Sequence, residues 1–232
     1  MGGNVRERLS GDMNFLISQL RESVRMEPGT QFLELPAMLT ACLELLSAFS
    51  GMERENVNRG SGWLFMSLGR RLERAIYLTR QLREVATPLE EQDWPFLEML
   101  LEVADSSVSY RTRYFTTLQP LAVLDLLMLD ETNPRSLEFQ LRHIADLYEK
   151  LPRHHLDDLR TMHETVAVLR GFNLNDVEYP LPGSSGVATG FSGLTQLERF
   201  LRATEQMLPV WSNNLSIRYF SHARTLPTTI GE

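Results

Sequence analysis

The chain has 232 residues, 43 % of them hydrophobic, which suits one large domain or two small ones with a substantial buried core. The formal net charge of −7 argues against a nucleic-acid-binding protein, whose surface usually carries a basic surplus. Cys42 is the single cysteine, so no internal disulfide can form, and we expect a reducing, cytoplasmic location.

The amino-terminal quarter predicts helices separated by a turn near residue 28. A stretch from about residue 12 to Arg25 has helical spacing, with Phe15, Leu16, Leu20 and Val24 expected to point inward. The apolar run Leu35–Phe49 contains Pro36 and Glu44, and it falls short of the roughly 18 residues that a membrane span needs. We therefore expect a buried central helix there, with no membrane segment and no contact with a membrane.

The rest of the chain predicts more helices, after a polar and irregular segment over residues 51–62. Asn133-Pro134 is typical of a helix amino-terminal cap followed by proline in the first turn. Residues 172–190 are rich in Pro, Gly and Ser and predict a loop. Helices are predicted over residues 63–86, 93–104, 106–117, 120–129, 134–151, 156–169 and 193–222. Because short connections favour antiparallel neighbours, we expect an all-α, antiparallel multi-helix bundle in one domain over residues 1–232.

The helix over 63–86 carries the most informative pattern. At 100° per residue, Leu64, Leu68 and Leu72 share an apolar face, and Arg70, Glu73 and Tyr77 lie on the other side. A solvated charged face would hold the surface ion pairs Arg70–Glu73 and Arg80–Glu84, worth about 0.2–0.5 kcal/mol each. The alternative is a buried Arg–Glu pair that ties helices together, with Gly69 allowing another backbone to approach.

Two later segments add polar side chains. Tyr110 and Tyr114 are four residues apart and should stack on one helix face, and Arg113 would join the same network if it meets Glu73. The segment from Asn133 to Ser136 places an arginine beside a predicted helix amino terminus, which suits an anion, although we favour the alternative of a capping motif and nothing more. The candidate binding residues of the three segments are Arg70, Arg71, Glu73, Arg74, Tyr77, Tyr110, Arg111, Arg113, Tyr114, Asn133 and Arg135.

These segments resemble a known family. Phe65–Ala75, which includes Gly69-Arg70-Arg71-Leu72-Glu73-Arg74, is similar to the signature of the alpha-E domain, a bacterial all-helical domain with a Glu-Arg motif. Further similarity to family segments lies at Ser109–Tyr114, Asn133–Leu137, Tyr219–His222 and Val5–Ser10. Family members commonly carry an earlier copy of the Gly-Arg-x-Leu-Glu-Arg-Ala motif. That copy is absent here, so the chain resembles the carboxy-terminal two-thirds or so of the domain.

The resemblance implies a setting for the function. Alpha-E domains are typically fused to, or encoded beside, a circularly permuted ATP-grasp protein of the amide-ligase type. A transglutaminase-like peptidase is a frequent neighbour. The expected partner is therefore an ATP-grasp protein, in cis or in trans, that works in peptide synthesis or modification.

The motifs of common catalytic sites are missing from the sequence. There is no Gly-x-x-x-x-Gly-Lys-Ser/Thr loop, no Gly-x-Ser-x-Gly elbow and no His-Glu-x-x-His zinc motif, and we predict no cofactor and no metal. Three hypotheses follow. The chain is an accessory module of an amide ligase without catalysis of its own, an enzyme or substrate-binding component with an Arg- and Tyr-lined carboxylate site, or a purely structural helical domain.

Overall fold

The computed structural model describes residues 9–25, 32–86, 94–115, 117–177 and 192–220. Within these ranges the backbone forms helices and turns and contains no β-strand, which confirms the predicted all-α helix bundle. The described helices are α1 (Gly11–Ser23), α2 (Leu35–Asn56), α3 (Ser61–Val85), α4 (Trp94–Val103), α5 (Ser107–Tyr114), α6 (Pro120–Leu124), α7 (Leu137–Glu149), α8 (Leu156–Arg170) and α9 (Ser192–Phe220).

The chain divides into two compact units, residues 1–65 and residues 66–232. The division falls inside α3, so that helix contributes its first residues to one unit and the remainder to the other. The prediction of a single domain over residues 1–232 stays a prediction.

In the first unit, α1 packs against α2. The side chain of Ser10 caps α1 by accepting a hydrogen bond from the backbone N–H of Met13 at 3.3 Å. Met13 is buried, whereas Phe15 and Val24 are 62 % and 55 % exposed, so the prediction that these two point inward is wrong. Phe15 is two residues from Met13, and 200° of helical rotation places the two side chains on opposite faces.

Helix α2 differs from its prediction in length and in burial. It continues to Asn56 because Met52, Glu53 and Arg54 favour helix and the single Gly51 does not interrupt it. Its buried residues are Cys42 and Glu53, so the expected buried central helix is wrong. Among the described residues, Phe32–Asn56 is the one helical segment long and apolar enough to cross a membrane by length and composition. The prediction that this run is too short for a membrane span is therefore wrong, and the absence of a membrane segment stays a prediction.

The second unit has its core around α7, which packs against α8 and against the segment that follows α6. Leu137, Leu141 and Ile144 of α7 are fully buried. Residues Asp125–Leu129 form a π-helical turn, in which the N–H of Asp130 donates to the carbonyl of Asp125. These elements position the loop that leads into α7 and thereby part of the candidate site.

The amino terminus of α7 corrects a prediction. Ser136, not Asn133, is the cap residue, and its hydroxyl accepts a hydrogen bond from the N–H of Phe139 at 3.1 Å. Asn133 instead accepts from the N–H of Arg135 at 3.0 Å and closes a tight turn before the helix. Of the first N–H groups of α7, that of Phe139 therefore has a partner in the protein, and the predicted anion site at this helix terminus stays a prediction.

Candidate functional site

A cleft with a positively charged wall lies in the second unit, and its volume is about 360 Å³. We call it the cationic cleft. Its wall combines α3 with the end of α4 and with the loop that precedes α7. The lining residues are Arg70, Glu73, Arg74, Tyr77, Leu78, Gln81, Val103, Ala104 and Arg135.

Arg74 is the most strongly perturbed residue of this cleft. It is half-buried, and its guanidinium makes no hydrogen bond or ion pair within the described part of the chain. Burial lowers the pKa of Arg74 to about 10. The positive charges of Arg135, Arg71 and Arg70 act in the same direction. The surroundings of Arg74 therefore disfavour its positive charge, and a bound anion would stabilise that charge.

Arg135 is held at the cleft by a buried polar turn. Its guanidinium lies 2.8 Å from the carboxylate of Asp105, which is itself 78 % exposed. The backbone of Arg135 is fixed by Asn133, whose side-chain amide donates to Ser106 at 3.3 Å and to the carbonyl of Leu126 at 3.1 Å. Asn133 thus positions a cleft arginine and does not line the cleft itself.

A second cleft of about 400 Å³ lies between α3 and α9. We call it the polar cleft. Glu73 and Tyr77 line both clefts, and both side chains are exposed. The lining residues of the polar cleft are Glu73, Ile76, Tyr77, Arg80, Pro209, Ser212, Asn213 and Ser216.

Helix α9 is joined to α3 by an acidic side chain beside the polar cleft. Glu205 accepts a hydrogen bond from Arg83 and another from Arg80, whose Nε lies 3.2 Å from its carboxylate. The hydrogen bond from Arg83 is the main cause of a lowered pKa of Glu205, although partial burial acts in the opposite direction. The predicted surface pair of Arg80 with Glu84 is thus replaced by a contact between two helices.

Arg113 does not pair with Glu73, so the condition for one network that joins the two segments through this pair is not met. Arg113 binds two nearer acids, with its guanidinium nitrogens 2.5 Å from Asp130 and 3.1 Å from Asp125. The hydroxyl of Tyr114 also donates to Asp125. Burial favours a higher pKa for Asp130, but hydrogen bonds from Thr132 and the charge of Arg113 lower that pKa overall. Arg113 and Tyr114 therefore form a separate, internally paired network.

The remaining predicted residues of α5 do not reach either cleft. Tyr110 and Tyr114 stack as predicted, with ring centroids 5.0 Å apart. Tyr110 is buried, and its hydroxyl accepts a hydrogen bond from the N–H of Gln119 at 3.0 Å. Arg111 is exposed and lines neither cleft.

The contacts of α3 do not support the alternative of a buried Arg–Glu pair at Glu73. Glu73 is exposed and forms no ion pair with the described residues. A Cβ at Gly69 would meet no described atom within 4 Å, so no backbone among the described residues approaches there. Arg71 points away from the cleft. It donates to Gln140 at 3.3 Å, and its guanidinium lies 5.4 Å from the ring centroid of Phe139.

Sequence reasoning missed a polar cluster that joins α7, α8 and α9. The Asp158 carboxylate accepts hydrogen bonds from Tyr148 at 2.7 Å and from Arg218 at 3.0 Å. Burial is the largest cause that raises the pKa of Tyr148 to about 12. The three residues are 10 and 60 positions apart, so no local spacing could have revealed the cluster. In the ranges described, no group of three or more His, Cys, Asp or Glu side chains is placed to hold a metal ion.

Comparison with protein families matches residues 1–220 to a family described as a predicted alpha-helical domain with a conserved ER motif. The chain is also similar to uncharacterised proteins of Mycobacterium bovis and of two strains of Mycobacterium tuberculosis, each 31 % identical over 158 residues. The matched segment is 64 % of this chain and 18 % of each relative, so the chain corresponds to a small part of those proteins. No solved structure matches the chain.

Proposed function

Because the chain belongs to the Alpha-E family, we propose that it is an accessory module of an ATP-grasp amide ligase that binds a carboxylate of a peptide or amino acid in the cationic cleft. The resemblance of Phe65–Ala75 and the later segments to that family supports the association with a ligase, in cis or in trans, and with a transglutaminase-like peptidase as a possible further partner. The observation that carries the carboxylate site is the half-buried guanidinium of Arg74, which has no partner in the described part of the chain.

The charges of the cleft favour an anionic group. Its lining includes three arginines, Arg70, Arg74 and Arg135, and one acid, Glu73. Asp105 adds a second acid through its ion pair with Arg135. The arginines give this wall a positive potential that favours an anionic group of the ligand. Guanidinium groups also bind carboxylates through two parallel hydrogen bonds.

The carboxylate site is tested by replacing Arg74 and measuring the binding of a simple probe by nuclear magnetic resonance titration. N-acetylglycine supplies the carboxylate, and N-acetylglycine amide is its neutral counterpart. We expect Arg74→Gln to weaken binding of the carboxylate at least tenfold and the neutral amide to bind weakly to every variant.

The matched control is Arg111→Gln, which removes the same charge from an exposed position outside both clefts. Equal losses in the two variants would mean that only net charge matters and would contradict a site at Arg74. Tighter binding of inorganic phosphate than of N-acetylglycine at the same site would contradict the carboxylate assignment.

The accessory role is tested by co-purification with the ATP-grasp protein encoded nearest to this chain, with and without ATP and magnesium. We expect a stable complex in at least one nucleotide state. Absence of association in every state, with this chain folded by circular dichroism, would contradict the accessory role.

A further inference from the structure

We propose that the ligand is a dipeptide-sized zwitterion, whose carboxylate occupies the cationic cleft and whose ammonium group pairs with Glu73 at the junction with the polar cleft. This inference rests on the proposed carboxylate site. It adds a positive charge to the proposed ligand and gives the ligand an orientation along α3.

The two clefts meet along one ridge of α3. Glu73 and Tyr77 are four residues apart, so their side chains lie on the same helix face, about 6 Å apart along the axis. Both residues line both clefts. A ligand that leaves the cationic cleft in this direction must therefore pass the carboxylate of Glu73 and the ring of Tyr77.

Glu73 is available to bind a cation. It is exposed, and within the residues that the structure describes it makes no hydrogen bond and no ion pair. An ionised carboxylate only accepts hydrogen bonds, so the complementary ligand group is a donor, and an ammonium group adds charge attraction. The positive charges next to Glu73 on α3 attract the ligand carboxylate, whereas Glu73 attracts a positive group. Glu73 and Arg74 together therefore favour a ligand that carries opposite charges at adjacent positions.

The spacing suits two residues of an extended peptide. Arg70 and Glu73 are separated by about 4.5 Å along the helix axis, and the whole segment from Arg70 to Tyr77 spans about 10 Å. An extended peptide advances about 3.3–3.6 Å per residue, so a dipeptide reaches from the cationic wall to Glu73. Cleft volumes of about 360 and 400 Å³ lie within the range of small-ligand sites.

The polar cleft offers a place for the amino-terminal side chain of the ligand. Its α9 wall presents Ser212, Asn213 and Ser216. The amide of Asn213 has no hydrogen-bond partner among the described residues, and it can both donate and accept. A polar side chain or a further peptide group is the chemistry that this wall would recognise.

The test compares three probes on the full chain by isothermal titration: alanylalanine, its N-acetyl form and its carboxy-terminal amide. We expect alanylalanine to bind the unaltered protein at least tenfold more tightly than either blocked form. Glu73→Gln should remove the difference between alanylalanine and its N-acetyl form, because the ammonium then loses its partner.

Two further variants make every outcome decisive. Arg74→Gln should weaken the binding of alanylalanine and of its N-acetyl form alike. Glu149→Gln makes the same change of charge as Glu73→Gln at an exposed position on α7, and it should alter the binding of neither probe. Equal, Arg74-dependent binding of alanylalanine and its N-acetyl form would overturn the zwitterion and leave the proposed carboxylate site standing. If none of the probes shows binding that depends on Arg74, both the zwitterionic ligand and the proposed carboxylate site are overturned.

Discussion

Replacing Asp158 with alanine should lower the free energy of unfolding by about 2–4 kcal/mol. Its carboxylate accepts hydrogen bonds from the hydroxyl of Tyr148 at 2.7 Å and from the guanidinium of Arg218 at 3.0 Å. Arg218 also donates to the oxygen of Tyr148 at 2.7 Å, so the three side chains form a closed cluster. Because the cluster joins α7, α8 and α9, its loss should loosen the helix that forms the outer wall of the polar cleft.

The magnitude follows from burial. A hydrogen bond to a charged group contributes about 1.5–3 kcal/mol, so two such bonds set an upper range of about 3–6 kcal/mol. The side chains of Asp158 and Arg218 are 21 % and 33 % exposed, so water replaces part of the hydrogen bonding that the substitution removes. Tyr148 is 2 % exposed and would keep a buried hydroxyl with one acceptor fewer, which prevents the loss from being small.

The matched control is Asp157→Ala. Asp157 also lies in the first turn of α8, so both substitutions remove the same favourable interaction with the helix dipole. Its side chain is 71 % exposed and its partner is Arg160 at 3.2 Å, an exposed pair worth about 0.2–1 kcal/mol. Urea unfolding at neutral pH, followed by circular dichroism, measures both variants. Equal losses for the two would refute the argument that burial of the cluster sets the cost.

Two other predictions concern a close backbone contact and a partly exposed ion pair. Gly193→Ala should destabilise the protein, because the new Cβ would overlap the carbonyl oxygen of Asp176 and lie 2.7 Å from its carbonyl carbon. Gly69→Ala, in an open part of α3, should be neutral or stabilise by up to about 1 kcal/mol, and thermal unfolding compares them. Glu205→Gln should destabilise at neutral pH, with the difference from the unaltered protein shrinking as the pH falls below about 4.3. Arg83 lowers the pKa of Glu205 in the folded protein. The ion pair therefore stabilises the protein at pH values above the unfolded-state pKa, and this stabilisation is lost as the pH falls through the lower, folded-state pKa. A difference that persists unchanged in acid would count against that origin.

Local patterns determined the helices and the buried face of α3. The residues predicted to be apolar and inward on that helix, including Leu64, Leu68 and Leu72, are buried. The stacking of Tyr110 on Tyr114 was likewise predictable. These features repeat with the helical period, and the information needed to predict them lies within a few residues along the chain.

Local patterns failed where the hydrogen-bonding partner comes from far along the chain. The sequence predicted the charged face of α3 but not the partner of Arg80. Arg80 binds Glu205, which lies 125 residues further along the chain, and not an acid close to it in sequence. The sequence left open whether Arg113 meets Glu73; Arg113 binds acids 12 and 17 residues beyond itself, which lie in and directly after the π-helical turn. Ion pairs depend on distances of a few ångströms, and those distances are set by how helices pack.

The sequence by itself determined that this chain is helical, that it belongs to its family, and that a Glu-Arg segment on α3 is distinctive. Only the tertiary structure decided which of the candidate arginines are already paired. Arg113 is satisfied within the protein, whereas Arg74 faces a cleft with no described partner. The physical reason is that helix formation is governed by neighbours in sequence, whereas desolvation and charge pairing are governed by neighbours in space.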